Sequence, residues 1–157
     1  MASVDSVRVC CRFRPQNQLE IDMESPISVE IFENKAALTS NENERSYEFD
    51  FDSVFPMEVT QQEVFNNASA PLVDEVLRGY NGTIFVYGQT GRLLRNGHIK
   101  ICSFPYVNLG SGKTFTMTGG ANENRGIIPR SVEHLFSKVG ENVENMEYTV
   151  SIATFGS

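Results

Sequence analysis

Residues 111–114 (SGKT) have the types and spacing of the second half of a phosphate-binding loop. Glycine lets successive backbone N–H groups turn toward phosphate oxygens. Lys113 brings a positive charge to the β- and γ-phosphates, and the Thr114 hydroxyl can ligate Mg²⁺. The helix that follows would add its positive N-terminal end. The full pattern also needs a glycine five positions before Gly112, where Val107 stands, so these four residues alone are weak evidence.

A second glycine-rich stretch lies upstream and has the composition of the missing first half. It consists of Gly88, Gln89, Thr90 and Gly91. It directly follows residues 83–87 (TIFVY), an apolar run typical of a strand buried in a parallel sheet. If residues 92–110 are left out, GQTG joins SGKT and completes a phosphate loop between a strand and a helix.

We interpret residues 92–110 as an insertion that splits this loop. The segment contains no acidic residue, although the chain as a whole has 20 acidic and 13 basic residues. Its basic residues are Arg92, Arg95 and Lys100. Its boundary is ambiguous by one residue, because Gly91 and Gly110 are interchangeable there. We expect so long a peptide to keep the two halves of the loop from forming one concave nest of amides.

Three origins of the segment 92–110 stay open. Its composition and its position inside a motif favour a retained intron. It is alternatively a lineage-specific loop that regulates nucleotide entry. In the third alternative, residues 99–107 replace residues 83–87 as the strand that feeds the loop, which then reads VNLGSGKT with valine at the first glycine.

The elements that must position these residues can be predicted from hydrophobic patterning. Besides 83–87, strands are predicted at residues 6–13, 27–32, 47–51 and 148–154. Residues 60–77 form the clearest helix, since Thr60 and Glu63 make a capping box and Gly79 is placed to end it. Pro71 should kink or strain that helix. A second helix is predicted from near Pro129 to about Val139, after a polar loop at 119–125.

Composition excludes some classes of function. The net charge of −7 and the pI of about 4.8 argue against bulk nucleic-acid binding. The sequence has no apolar run of the roughly 18 residues that a membrane-spanning helix needs. His98 and His134 have no metal-ligand partners at a useful spacing, so both are predicted to be surface residues.

With the loop restored, the chain resembles the kinesin motor family from about Val7 to Ser151. The similar stretches are VCCRFRP (9–15), FDSVF (51–55), TQQEVF (60–65), GYNGTIFVYGQT (79–90), SGKTFTMTG (111–119) and GIIPR (126–130). The resemblance implies an α/β fold: a mixed sheet of the P-loop NTPase type flanked by helices. Residues 1–157 would then be the N-terminal, truncated portion of one motor domain.

The resemblance also implies residue roles. Arg14 and Pro15 would flank the adenine of ATP, and Phe115 lies where the family often places another base-contacting side chain. Thr114 would hold Mg²⁺. The phosphate-binding residues would be Gly88, Gln89, Thr90, Gly91, Ser111, Gly112, Lys113 and Thr114. The implied partner of the parent protein is the microtubule, which places it in the cytoplasm on the cytoskeleton; no nucleic-acid or membrane partner is implied.

The chain departs from the family pattern at points that matter for activity. Neither NxxSSR nor DxxGxE, the switch motifs that sense the γ-phosphate and position the attacking water, occurs in these 157 residues. No catalytic residue is therefore assigned. Two alternatives to a nucleotide-binding motor fragment stay open: a non-catalytic or unstable motor-like product, and a different P-loop NTPase.

Overall fold

The structure, a computed structural model, describes residues 7–39, 46–88, 94–95, 98–99 and 110–141. Within these ranges, parallel and antiparallel strand pairs occur together with helices packed beside them. The predicted α/β class with mixed strand directions is therefore confirmed.

The first strand pairs with a strand from much later in the sequence. β1 (Cys10–Arg12) runs parallel to β5 (Ser53–Phe55), and the register sets Arg12 beside Phe55. The Phe13 amide continues the ladder by donating to the Phe55 carbonyl at 2.9 Å. β1 confirms the predicted first strand in a shorter form, and the pairing fixes Arg12 against the start of the helical region.

Three further strands form a separate antiparallel sheet in the order β2–β3–β4. They are β2 (Val29–Phe32), β3 (Lys35–Thr39) and β4 (Ser46–Asp50). The two outer strands lie where strands were predicted. β3 was not predicted because Lys-Ala-Ala-Leu-Thr has little β-branched character. It is a strand because it has a hydrogen-bonded partner on each side, and its residue Ala36 is only 2% exposed.

The predicted helix at 60–77 is present, but in three pieces. α2 (Gln61–Val64) leads into a π-helical turn (Phe65–Ser69) and then into α3 (Ala70–Leu77). The predicted capping box is confirmed: the Thr60 hydroxyl accepts from the Glu63 amide, and the Glu63 carboxylate accepts from the Thr60 amide.

The predicted distortion at Pro71 takes the form of this π turn. Proline has no N–H to donate to the carbonyl four residues earlier, and its ring clashes with that carbonyl. The turn widens just before Pro71, where the Ala70 amide bonds to the Phe65 carbonyl. The carbonyl of Asn67, four residues before the proline, instead accepts from Arg8 Nη1 at 3.2 Å.

The described residues contain four other helical segments. They are α1 (Gln18–Asp22), α4 (Lys113–Met117), a 3₁₀ turn (Asn122–Asn124) and α5 (Ile127–Glu141). α5 confirms the second predicted helix, with Pro129 in its first turn. α1 was not predicted; it begins with a second capping box, formed by Asn17 and Glu20.

α5 packs against α3 and the π turn through polar contacts. Ser69 is fully buried, and its hydroxyl lies 2.9 Å from that of Ser131. His134 Nε2 lies 2.8 Å from an Asp74 carboxylate oxygen, and its ring meets Phe65 edge-on. The prediction that His134 is a surface residue was wrong, because this helix packing half-buries the ring.

The apolar centre joins β5 to α2 and α5. Phe55, Val64 and Ile127 are each at least 94% removed from solvent and contact one another. Partly buried apolar residues surround them: Val59, Ala68 and Ile84. This cluster fixes the end of β5 relative to α2 and α5.

The predicted strand at 83–87 is not a strand. Phe85 is 87% exposed and Tyr87 is 93% exposed, whereas Ile84 and Val86 are half-buried, so the apolar run is not buried on both sides. A central strand of a parallel sheet exists only through hydrogen bonds to neighbouring strands. Among the described residues, none of the other strands pairs with 83–87, and β1 and β5 pair with each other.

Part of the segment 92–110 is described as a short antiparallel hairpin of β6 (Leu94–Arg95) and β7 (His98–Ile99). The predicted strand at 148–154, and all of the alternative strand at 99–107 except Ile99, lie outside the described residues. Among the helices that the structure describes, none combines the length and the apolar character needed to cross a membrane.

The capping box at Thr60 gives a test of the helical region. We expect Thr60→Ala to lower the free energy of unfolding by about 1 kcal/mol, since it leaves a first-turn amide without its acceptor. Urea denaturation followed by circular dichroism measures this. Thr39→Ala, at the exposed end of β3, is the control; an equal loss in both variants would contradict the role of the cap.

Candidate functional site

Gly88, the described residue of the first predicted half, contacts the second half of the phosphate loop. Lys113, the first residue of α4, donates from Nζ to the Gly88 carbonyl at 2.7 Å and to the Ser111 hydroxyl at 2.9 Å. Of the first half, only Gly88 lies within the described residues, so the expectation that the insertion prevents one concave nest of amides stays a prediction. The Lys113 side chain therefore holds Gly88, which follows the apolar run 83–87, against the turn at which α4 begins.

Two glycines shape this turn for close approach. A Cβ added to Gly88 would lie 2.7 Å from the Ser111 hydroxyl oxygen, so a side chain there would push Ser111 away. Gly112 precedes α4 with φ of +84°, a conformation that strains other residues. The loop thus brings backbone and a lysine ammonium together with no side chain between them, which is what a polyphosphate needs.

Thr114 lies exposed in the first turn of α4 and offers a hydroxyl beside Lys113. Within the described ranges, no group of three or more His, Cys, Asp or Glu residues could hold a metal ion. An oxygen ligand such as this hydroxyl is of the type that magnesium accepts beside phosphate oxygens and water. Gln89, Thr90 and Gly91, the other predicted loop residues, lie outside the described residues.

Arg14 is held by a carboxylate. Its guanidinium makes two hydrogen bonds to Glu20, at 2.5 and 2.7 Å, and donates to the Pro15 carbonyl at 2.9 Å. Arg14 lies beside the loop: a Cβ added to Gly112 would be 3.9 Å from the Arg14 Cβ. The predicted base contacts of Arg14 and Pro15 stay predictions, with the Arg14 charge engaged by Glu20.

Hydrogen bonds from the Arg14 side chain and the Asn17 amide hold the pKa of Glu20 at about 2. Both bonds favour the ionised carboxylate, because each donates to it. The same carboxylate closes the capping box of α1. The Arg14–Glu20 pair thus links the chain after β1 to a short helix that has no buried residue of its own.

The arginine that meets Phe115 is Arg12. Its guanidinium carbon lies 5.5 Å from the centre of the Phe115 ring, within the range of a cation–π contact. Nη1 donates to Gln61 Oε1 at 2.7 Å and to the Thr116 hydroxyl at 3.1 Å. Burial lowers the pKa of Arg12, but a guanidinium stays charged at any ordinary pH.

Arg12 was not among the predicted site residues, although it lies only two positions before Arg14. Phe115 itself is 46% exposed, so one side of its ring is open. Arg12 and Phe115 border an open cavity of about 750 Å³ that extends along the start of α2 to Asn124 and Arg125. A charged group and an aromatic face are therefore presented together beside the phosphate loop.

A parallel strand pair, flanking helices and a glycine-lysine turn that opens a helix define the chain as a domain of the P-loop NTPase type. The sequence pattern of one family, described as the kinesin motor domain, matches residues 12–92 and 96–156. The chain belongs to the kinesin motor domain family.

Individual relatives agree with this assignment. Kinesin-related protein 3 of Dictyostelium discoideum is 40% identical over 152 residues, covering 94% of this chain and 11% of the relative. The kinesin heavy chain of Neurospora crassa is 36% identical over 155 residues, covering 97% of this chain and 14% of the relative. A solved structure of a fast kinesin superposes with a TM-score of 0.71 at 36% identity, covering 90% of this chain and 35% of that one. The chain thus spans a small part of the length of these relatives.

The ion pair at Glu20 predicts a pH-dependent contribution to stability. The folded pKa lies below the value of about 4.3 expected for an unfolded glutamate, so the carboxylate stabilises the fold above about pH 4.3. That contribution is lost as the pH falls toward about 2. We expect Glu20→Gln to lower the urea midpoint at neutral pH, and the difference from wild type to shrink on acidification.

The control is Asp50→Asn, which breaks the exposed pair between Asp50 and Lys35. We expect it to change the midpoint little, because solvent screens an exposed pair. A Glu20→Gln difference that stays constant from neutral pH down to about pH 3 would contradict the assigned pKa.

Proposed function

We propose that this chain binds ATP with Mg²⁺ at the loop formed by residues 88–91 and 111–114. We further propose that the complete protein hydrolyses ATP to move along microtubules. The observation that carries the first proposal is the contact of Lys113 with Gly88 and Ser111, which joins Gly88 to the second half of the loop although residues 89–110 intervene. Family membership supports the second.

Lys113 would exchange acceptors when a polyphosphate binds. Its ammonium contacts a neutral carbonyl and a hydroxyl, both on the loop itself. Charged phosphate oxygens are stronger acceptors than either, so the same side chain can turn to the β- and γ-phosphates at little cost. The loop amides around Gly112 would then take further phosphate oxygens.

Thr114 would supply the protein ligand of Mg²⁺. The ion, when bound, neutralises charge on the phosphates. This chain contributes a hydroxyl on the helix that also bears Lys113, so the cation-binding and phosphate-binding groups are fixed relative to each other. The exposed position of Thr114 leaves room for the water molecules that magnesium keeps.

The base of the nucleotide would lie against Phe115. The open face of that ring and the adjacent Arg12 guanidinium favour an aromatic heterocycle, which can stack on either. Arg14 and Pro15 are proposed to border the same base from the end of β1. The Arg14–Glu20 pair would hold that border in place.

We propose that residues 1–157 are part of one motor domain, with its phosphate loop split by residues 92–110. The microtubule is the proposed partner of the complete protein, and the cytoplasm, on the cytoskeleton, its proposed location. A second candidate function, nucleotide binding without turnover, is favoured for these residues by the lack of both switch motifs in the sequence.

The lysine provides the test of the binding site. We expect Lys113→Ala to weaken binding of both ADP and inorganic pyrophosphate by roughly 10- to 100-fold, the worth of a charge-assisted hydrogen bond. Isothermal titration calorimetry with Mg²⁺ present measures both. Lys35→Ala is the matched control, since Lys35 is an ion-paired lysine on the three-stranded sheet. Equal affinity in wild type and Lys113→Ala would contradict the assignment of Lys113 to the phosphate-binding site.

Turnover separates the two candidate functions. We expect this chain to release no more phosphate from ATP in the presence of microtubules than in their absence, because the groups that position the attacking water are missing. A coupled phosphate assay with and without polymerised tubulin measures it. Stimulated release would favour the motor and contradict binding without turnover.

A further inference from the structure

Gln61, the first residue of α2, is a polar side chain that is 96% buried and has every amide group engaged. Its Oε1 accepts from Arg12 Nη1 at 2.7 Å. Its Nε2 donates to the Phe115 carbonyl at 2.6 Å and to the Asn124 carbonyl at 3.1 Å. One side chain therefore joins β1, α4 and the loop before α5.

The direction of this amide is fixed by its partners. A guanidinium can only donate and a carbonyl can only accept. Turning the amide over would set its NH₂ against Arg12 and its oxygen against two carbonyls, which leaves all three contacts unmade. A buried amide that cannot turn is a rigid link, because leaving its groups without partners costs more than any local gain.

Gln61 holds two of the residues that line the cavity, Arg12 and Phe115. Arg12 has two side-chain acceptors among the described residues, Gln61 and Thr116. Gln61 also holds the backbone of Phe115, over whose ring the Arg12 guanidinium lies. Gln61 thus fixes Arg12 and Phe115 relative to each other, with the guanidinium carbon 5.5 Å from the ring centre.

We propose that Gln61 is a positioning residue for the base-binding side of the nucleotide site: it holds Arg12 over Phe115 and so sets the preference for a nucleotide over a bare polyphosphate. This inference rests on the proposed nucleotide-binding function. At the phosphate end Gln61 makes no direct hydrogen bond, since its partners include neither Lys113 nor Gly88.

The test compares ADP with inorganic pyrophosphate, both with Mg²⁺, by calorimetry on the full 157-residue chain. We expect Gln61→Met, which keeps the volume and loses the amide, to weaken ADP binding roughly 5- to 10-fold, in the range of a cation–π contact. Pyrophosphate binding should stay at the wild-type value. Equal loss for both ligands, or for neither, would overturn the proposal.

Gln62→Met is the matched control. Gln62 is the next residue on α2, and its amide contacts Asn66 and Arg130 rather than Arg12 or Phe115. We expect its ratio of ADP to pyrophosphate affinity to match wild type. Gln61→Glu keeps an oxygen acceptor for Arg12, so we expect it to retain more of the ADP preference than Gln61→Met does. The reverse order of these two variants would overturn the proposal.

A double-mutant cycle shows whether Gln61 acts through Arg12. In an Arg12→Met background, Gln61→Met should cause little further loss of ADP affinity, since the group it positions is already gone. Fully additive losses would contradict the inference. Failure of the wild-type chain to bind even pyrophosphate would instead remove the proposed function, and the inference with it.

Discussion

The packing of Phe55 against Val64 and Ile127 is the contact on which the described structure depends. Phe55 ends β5, Val64 ends α2 and Ile127 begins α5, so two consecutive elements and a third from much later in the sequence meet at one apolar point. Because β5 pairs with β1, fixing Phe55 also fixes Arg12 beside it. Burial of these three side chains, each worth about 2 kcal/mol, is what sets a strand end against a helix start.

Around that point, polar groups rather than further apolar ones complete the arrangement. Gln61 follows the capped start of α2 and reaches α4, while Ser69 and Asp74 reach α5. Directional bonds of this kind add little net free energy each, but each allows only one geometry. The site is therefore built by a small apolar centre that supplies stability and a set of amide, hydroxyl and carboxylate contacts that supply position.

How much of this could be predicted depends on the range of the interactions concerned. The Thr60 capping box and the disturbance at Pro71 are local, and both were predicted from a few residues. The Lys113 loop was predicted because its chemistry requires fixed spacing. β3 was missed because it is a strand only through its two paired neighbours. The predicted strand at 83–87 was wrong for the converse reason, since no described strand pairs with that apolar run.

The role of Arg12 could not be predicted from its own surroundings in the sequence. Arg12 and Arg14 have the same side chain two positions apart, and nothing local tells which one a carboxylate will hold. Glu20 captures Arg14 through a capped turn six residues on, whereas Arg12 meets Gln61 and Phe115 only after the chain has folded. The two arginines therefore differ in role because of their tertiary contacts.

The contact between Lys113 and Gly88 also bears on how much chain the loop can contain. Closing a flexible loop costs free energy that grows only with the logarithm of its length, about 0.6 kcal/mol for each doubling. Residues 92–110 lengthen the path between these two contacts roughly fourfold, which costs about 1 kcal/mol on that scale. One charge-assisted hydrogen bond offsets that amount, so length by itself does not open the loop. Reporter peptides of similar length, such as a protease site or a fluorophore-binding tag, should therefore be tolerated between Gly91 and Gly110 without separating the two halves.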